Sequence, residues 1–425
     1  MQCLHKKCRP NIRTISTTNS RPLRFERVSH ILDSWVKAGP YPGIVAGIYD
    51  DTGELFFHAV NKESKIHTDF HRDTIYRWYS MTKPFTAAAI MILVERGVLS
   101  LEDEISQWIP EYATTRVYTG GKSPEDYQSE ALAQPIRIKH LLNHTAGIPA
   151  VYFGQQIPEL VIRKNFSGVC FTTGYRELTI DKICGVLAKG PLCNQPGSGF
   201  EYGLSYEVLG HIVEIVAKMR LDEFMKKELF IPLGMVDTDF YVPAEKIHRL
   251  ASFGQLLPGH LFENQTRLKE KVRHVNAAFF SGSFGLNGTL ADYGRFARML
   301  MNGGELDGVR VLQPATVAAM TSNQLPDNKN VDELNKSRGV LEIDAGGFGY
   351  GYGVSVLTRP DVALGGELSS KGEFGWGGLA STWFYVDPVR KYYFICMAQL
   401  LPSNTYPLRA QLRYATTLAM QESEE

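Results

Sequence analysis

Cysteine is scarce in this chain: six in 425 residues, at Cys3, Cys8, Cys170, Cys184, Cys193 and Cys396, too few and too uneven for a disulfide framework. A reducing compartment is the expectation. No apolar run approaches the length of a bilayer span, and the N-terminal stretch lacks the apolar core of a secretory signal, so the sequence predicts a soluble intracellular protein. Excess charge is missing too. Forty-five basic residues balance 45 acidic ones, which leaves no global attraction to nucleic acid or to an anionic membrane. There is no His-Glu-x-x-His, no Cys-x-x-Cys pair and no complete dinucleotide glycine fingerprint. Gly121-Lys122-Ser123 lacks the upstream glycine of a phosphate loop, because Arg116 stands in its place. No metal or cofactor is implied.

Acidic residues are absent before Glu26, whereas Lys6, Lys7, Arg9, Arg13, Arg21 and Arg24 lie in that stretch among several Ser and Thr. Residues 1–25 therefore suit a mitochondrial transit peptide and, equally, a basic flexible tail. The compartment stays open between cytoplasm and mitochondrion.

What is present is enough apolar material, 44% of the chain, for a large core. Val28, Ile31, Leu32 and Trp35 fall at helical spacing and predict a helix over about 28–38, stopped by Gly39-Pro40. A hairpin follows, from Ile44 to Tyr49, round Asp50 to Gly53, and back through Leu55 to Val60. At the far end, Gly351 to Leu357, Ala380 to Val386 and Tyr392 to Leu400 are strand-like, and a last helix runs from about Pro407 to Met420. Between the ends, helical patterns dominate: Phe85 to Glu95, Ser205 to Met219, Asp222 to Phe230, Asp292 to Met301 and Ala315 to Thr321. The segment Tyr152 to Pro196, interrupted by weakly helical pieces, and the polar stretch Ser322 to Gly346 read as long loops. The economical arrangement is an α+β fold. One antiparallel sheet flanked by helices closes from the two ends (about 26–90 and 310–425), with a mainly helical lobe (about 91–309) inserted between them. Ligands favour the cleft between such lobes.

The sharpest chemical feature is Tyr79-Ser80-Met81-Thr82-Lys83-Pro84, ahead of the apolar run Phe85 to Leu93. Apolar on nearly all sides, that run predicts a buried helix. A serine in its first turn faces unpaired N–H groups and the positive end of the helix dipole, which favour an anionic nucleophile or an oxyanion. Lys83 returns to the same face three residues later and, partly desolvated, can take the serine proton. Pro84 is tolerated because the first turn has no internal N–H bond to lose. Spacing alone does not decide the matter. Ser34 and Lys37 repeat it within an amphipathic helix, where it reads as solvated surface, and Ser80 equally suits a helix cap beside a solvated lysine.

Further landmarks stand in order along the chain: Val94-Glu95 through Leu101-Glu102-Asp103; Ile138 through Ile148, containing His140 and His144; Pro196-Gly197 through Tyr202; Leu209-Gly210; Pro232-Leu233-Gly234-Met235; and Gly377-Gly378. With Ser80-Met81-Thr82-Lys83, from about Glu26 onward, they resemble the class C β-lactamase-like serine hydrolases (penicillin-binding-protein fold). That family includes penicillin-recognising D-peptidases, family VIII carboxylesterases and lovastatin-type acyltransferases. The resemblance implies that residues 26–425 form a β-lactamase-related catalytic domain. It further implies that Tyr202 is the second catalytic residue beside Ser80 and Lys83, and that the backbone N–H groups of Ser80 and Leu379 form the oxyanion hole. His140 and His144 invite a Ser-His-Asp reading, but the chain has no Gly-x-Ser-x-Gly elbow, and the matching histidines of the family are structural.

Two departures from the family pattern point to the substrate. Where the β-lactamases and D-peptidases carry Lys-Thr-Gly, this chain reads Trp376-Gly377-Gly378, like the esterase and acyltransferase branches. Lys and Thr there engage the substrate carboxylate, and losing a charge-assisted hydrogen bond of roughly 1.5–3 kcal/mol weakens carboxylate recognition about ten- to a hundredfold. Where the family reads Tyr-x-Asn, this chain reads Tyr202-Gly203-Leu204, so the amide-binding asparagine is gone. Trp376, Gly377, Gly378 and Leu204 are thus expected to bind substrate, with the glycines letting it approach the backbone. The expectation is a serine hydrolase acting through a Ser80 acyl-enzyme on small or hydrophobic acyl esters, as esterase or acyltransferase. A β-lactamase or D-amino-acid peptidase, and a non-catalytic or filament-forming scaffold of the same fold, are the alternatives.

Overall fold

Apolar runs at the two ends of the chain meet in one sheet. The computed structural model describes residues 23–62, 70–150, 156–165, 179–256, 262–264, 277–334, 346–363 and 368–421. The expected basic tail before residue 23 lies outside them. Strands β1 (Gly43–Asp50) and β2 (Glu54–Asn61) form the N-terminal hairpin. Its turn is held by the Asp50 carboxylate, which accepts from the N–H groups of Thr52 and Gly53 at 2.8 and 3.0 Å. Strands β3 (Phe348–Tyr350), β4 (Ser355–Leu357), β5 (Phe374–Gly377), β6 (Trp383–Asp387) and β7 (Tyr392–Ala398) complete the sheet, in the order β3-β4-β5-β6-β7-β1-β2. Every neighbouring pair is antiparallel. The chain ends join at β1 and β7, with Ile44 opposite Ala398 and Asp50 opposite Tyr392.

The helices that frame the sheet and the site are α1 (Glu26–Ala38), α2 (Lys83–Glu95), α3 (Ser205–Ala217), α4 (Leu290–Met301) and α5 (Leu408–Gln421). The period of two divides the central strands between two cores. Ile44, Ala46, Ile48, Phe394 and Cys396 face α1 and α5, meeting Val28, Leu32 and Leu412. Val45, Tyr393, Ile395 and Met397 face the other way, into the core shared by Phe296 of α4 and Phe85 of α2. Both faces are covered, so these strands read as nearly continuous apolar runs.

Helix α2 is buried from Lys83 to Leu93. Each large side chain there, such as Ile90 or Leu93, stabilises the fold by about 1.5–3 kcal/mol, so the start of this helix is a firm platform. The segment ahead of it is a 3-10 turn, Tyr79–Thr82, rather than the α-helix itself. Ser34, by contrast, is exposed on α1 and Lys37 pairs with Asp33 at 3.6 Å, as solvated surface should.

Several elements differ from the sequence pattern. The run Gly351 to Leu357 is a tight turn followed by a short strand. Gly353 adopts φ 91°, and a Cβ there would meet Ala87 Cβ at 2.9 Å, so glycine is needed where β4 begins against α2. Ala380, Ser381 and Thr382 form a turn before β6: Gly378 N–H donates to Thr382 O and Ser381 N–H to Gly378 O, with Ser381 at φ 64°. The helix expected over Asp222 to Phe230 is α-helical only over Leu221–Met225 and widens to a π-turn over Lys226–Phe230. Gly121-Lys122-Ser123 lies in an exposed hairpin, Arg116–Ser123 against Asp126–Ala131, and not before a helix. Its polar composition hid it from a search for apolar alternation. Within the two expected loops, Ile157–Asn165, Ile180–Lys189 and Val331–Leu334 are helical; residues 151–155, 166–178 and 335–345 lie outside the described residues.

Candidate active site

The strand Tyr76–Arg77 must turn sharply to enter α2, and Tyr79 makes the turn with φ 49°. A non-glycine residue in this region costs about 1–2 kcal/mol, which the buried helix behind it sustains. The turn leaves Ser80 half-buried at the head of the helix and swings Lys83 inward to 3% exposure. Lys83 Nζ lies 3.2 Å from Ser80 Oγ and donates to the Ser283 carbonyl at 3.1 Å. It also sits 4.7 Å from the centroid of the Tyr202 ring. Ser80 and Lys83, three residues apart, and the distant Tyr202 are therefore one cluster, with the amine over the tyrosine ring.

Tyr202 precedes α3, and its hydroxyl oxygen accepts from Trp376 Nε1 at 3.3 Å. Trp376 is on β5, buried to 6% exposure, and stands edge-on to Tyr350 with centroids 5.1 Å apart. The third motif is thus placed beside the second by an indole donor. Leu204 is different. It is fully buried in the core and presents no surface to the cleft, because it packs at the start of α3. The expected substrate contact is corrected to a core position.

Leu379 follows β5 in the turn, its side chain exposed. Its N–H donates no hydrogen bond among the described residues. The glycines before it are also required by protein contacts. A Cβ on Gly378 would stand 2.3 Å from the Trp78 carbonyl, and one on Gly377 would meet the Arg409 guanidinium at 2.7–2.8 Å. Thr382 Oγ1 also donates to the Trp78 carbonyl at 3.3 Å. The end of β5 is in this way seated two residues ahead of Ser80.

Neither histidine is arranged as a base. His140 Nδ1 accepts from the Arg137 N–H at 3.2 Å, closing the start of a short helix. Burial, with Lys139 and Arg137 nearby, pushes it down to about 4. His144 is fully buried, with neither ring nitrogen hydrogen-bonded among the described residues, and lies 4.7 Å from the Tyr202 ring centroid. Burial first, and the Lys83 charge second, hold it well below the usual imidazole range, so it is a neutral wall.

Sequence reasoning missed Glu207. Buried on α3, it accepts from Ser281 Oγ at 2.5 Å and from the Gly282 N–H at 3.1 Å. Thr86 Oγ1 donates to the Gly282 carbonyl at 2.7 Å. Together they fix the segment whose next carbonyl, that of Ser283, holds Lys83. Nothing in the local sequence marks these residues, since they join segments some seventy-five positions apart.

The fold and the clustered serine, lysine and tyrosine define a β-lactamase-related serine hydrolase. The chain belongs to the beta-lactamase family, whose profile matches residues 31–418. It is 35% identical over 357 residues to an uncharacterized protein of Mycobacterium tuberculosis, covering 82% of this chain and 83% of that one. It is similar to the lovastatin esterase of Penicillium rubens (29% identity, 82% of this chain, 86% of the other) and to esterase EstB of Burkholderia gladioli (27%, 85% and 86%). Among solved structures, simvastatin synthase from Aspergillus terreus superposes with a TM-score of 0.76 at 19% identity, over 93% of this chain and 98% of that one. At that identity the superposition speaks to the fold alone. Among the described residues, no helix is long and apolar enough to cross a membrane.

Proposed function

We propose that this protein is an esterase or acyltransferase that carries the acyl group of a small or hydrophobic ester on Ser80. The observation that carries the proposal is the buried Lys83 amine 3.2 Å from the half-buried Ser80 Oγ, in one cluster with Tyr202. Relatives named as lovastatin esterase, esterase EstB and monacolin J acid methylbutanoyltransferase support the ester class. So does Trp376, which puts an indole where amide-directed relatives place a cation.

In its amine form Lys83 takes the Ser80 hydroxyl proton as Oγ bonds to the ester carbonyl carbon. The carbonyl oxygen becomes an oxyanion and accepts from the N–H groups of Ser80 and Leu379. Collapse breaks the bond to the leaving alkoxy oxygen, which receives the proton handed on through Tyr202. Water or an acceptor alcohol then attacks the acyl-enzyme, giving its proton to the same pair, and Ser80 Oγ is reprotonated as the new acid or ester leaves.

Incubation with a short-chain nitrophenyl ester should add one acyl mass to the peptide containing Ser80, and Ser80→Ala should abolish both adduct and turnover. An unchanged rate in Ser80→Ala refutes the proposal. Faster turnover of a cephalosporin such as nitrocefin than of the ester would move the enzyme to the amide-directed class. Failure to label with a fluorophosphonate or penicillin-type probe would favour the scaffold.

A further inference from the structure

Strand alternation sends Trp376 to the Tyr202 side of β5 and Gly377 to the opposite side, where Arg409 of α5 stands. The missing Cβ of Gly377 is what lets the guanidinium come so close. Arg409 Nη2 donates to two carbonyls of the following turn, Gly378 O and Thr382 O, each at 2.8 Å. Thr382 O also accepts from the Gly378 N–H at 2.8 Å, and Gly378 O from the Ser381 N–H at 3.1 Å. The whole turn from Gly378 to Thr382 is gathered on one cation.

Gly378 C=O and Leu379 N–H belong to the same peptide unit. In a planar trans peptide they point in opposite directions. A guanidinium that holds the carbonyl on the α5 side therefore turns the N–H toward the Trp376 side, where Tyr202, Lys83 and Ser80 lie. It also draws electron density from the amide, which strengthens the N–H as a donor. The N–H so directed has no acceptor among the described residues.

We infer that Arg409 is a positioning residue of the oxyanion hole, aiming and polarising the Leu379 N–H through the Gly378 carbonyl without touching substrate. Gly377 and Gly378 of the third motif are then the space that this device needs: one admits the guanidinium, the other admits the Trp78 carbonyl. The inference rests on the proposed Ser80 acyl-enzyme, and the experiment separates the two.

Wild type, Arg409→Met and Arg409→Lys are compared on a short-chain nitrophenyl ester, together with inhibition by a trifluoromethyl ketone that adds to the nucleophile as a tetrahedral oxyanion. Losing one oxyanion donor typically costs about a hundred- to a thousandfold, so a misaimed one should lower kcat about ten- to a hundredfold, with KM within about twofold. Affinity for the ketone should fall by the same factor. Arg409→Lys keeps the charge and loses the planar fork, and should lie between. Millimolar guanidinium should restore part of the activity of Arg409→Ala, a readout that general unfolding cannot mimic. A kcat loss without loss of ketone affinity, a change in KM alone, or full activity in Arg409→Met overturns the inference while leaving the Ser80 acyl-enzyme standing. Absence of a Ser80 adduct in wild type sinks the proposed function instead.

Discussion

The Trp376 indole donates to the Tyr202 hydroxyl oxygen at 3.3 Å, tying β5 to the entry of α3. One side chain thereby removes a cation from the third motif and holds the oxygen through which the leaving group's proton is proposed to pass. Trp376→Phe keeps one aromatic ring and deletes the pyrrole ring with its donor. A hydrogen bond of about 0.5–1.5 kcal/mol corresponds to a two- to tenfold fall in kcat per folded molecule, alongside a loss of thermal stability from the smaller buried ring. Steady-state kinetics with a nitrophenyl ester measure it, and an unaltered kcat would show that the bond does not serve the chemistry.

Glu207 fixes Lys83 at second hand, through Ser281, Gly282 and the Ser283 carbonyl. Glu207→Ala leaves the buried Gly282 N–H and Ser281 hydroxyl without their acceptor, at about 1–3 kcal/mol each. The expected result is a lower urea midpoint together with a kcat reduced at least tenfold. Loss of stability without loss of kcat per folded molecule would confine Glu207 to a structural role.

His144 is a neutral buried ring without a hydrogen-bond partner among the described residues, so an apolar ring should replace it. His144→Phe should keep activity within about threefold of wild type and match or exceed its stability, since two unsatisfied buried nitrogens disappear. A collapse of kcat with the fold intact would restore histidine to the mechanism.

Glu201, next to Tyr202, has its carboxyl pushed from an ordinary 4.5 up to about 7 by burial, with Glu159 adding repulsion. The native state then binds the proton more tightly than the unfolded chain. Its contribution to stability is complete below about pH 4.5 and lost as pH rises through 7, by up to about 3 kcal/mol. Glu201→Gln should be more stable than wild type at pH 8, and the difference should close below pH 5. Urea unfolding at pH 5 and pH 8 tests this; a difference independent of pH would refute it.

Much of the architecture was legible because the relevant signals are local. The buried run Phe85 to Leu93 announced α2, and the apolar runs around Ile44 and Phe394 announced strands. Where the structure departed, the cause was tertiary. Leu204 looked like pocket lining beside Tyr202, yet core packing at the head of α3 claims it. Gly377 and Gly378 read as room for substrate, and the structure adds a need that the sequence did not show: a Cβ at either would meet Arg409 or Trp78. The hairpin Arg116–Ser123 to Asp126–Ala131 is polar along its length and gave no apolar period to read.

By itself the sequence determined the elements and the candidate chemistry. Ser80 and Lys83 are three residues apart, which is one turn once the 3-10 segment and α2 form. Only the tertiary structure decided which groups serve that pair. The Ser283 carbonyl reaches Lys83, and Trp376 reaches Tyr202, across long stretches of chain, and proximity of that kind arises only when the sheet closes from both ends and brings β5 beside the head of α2.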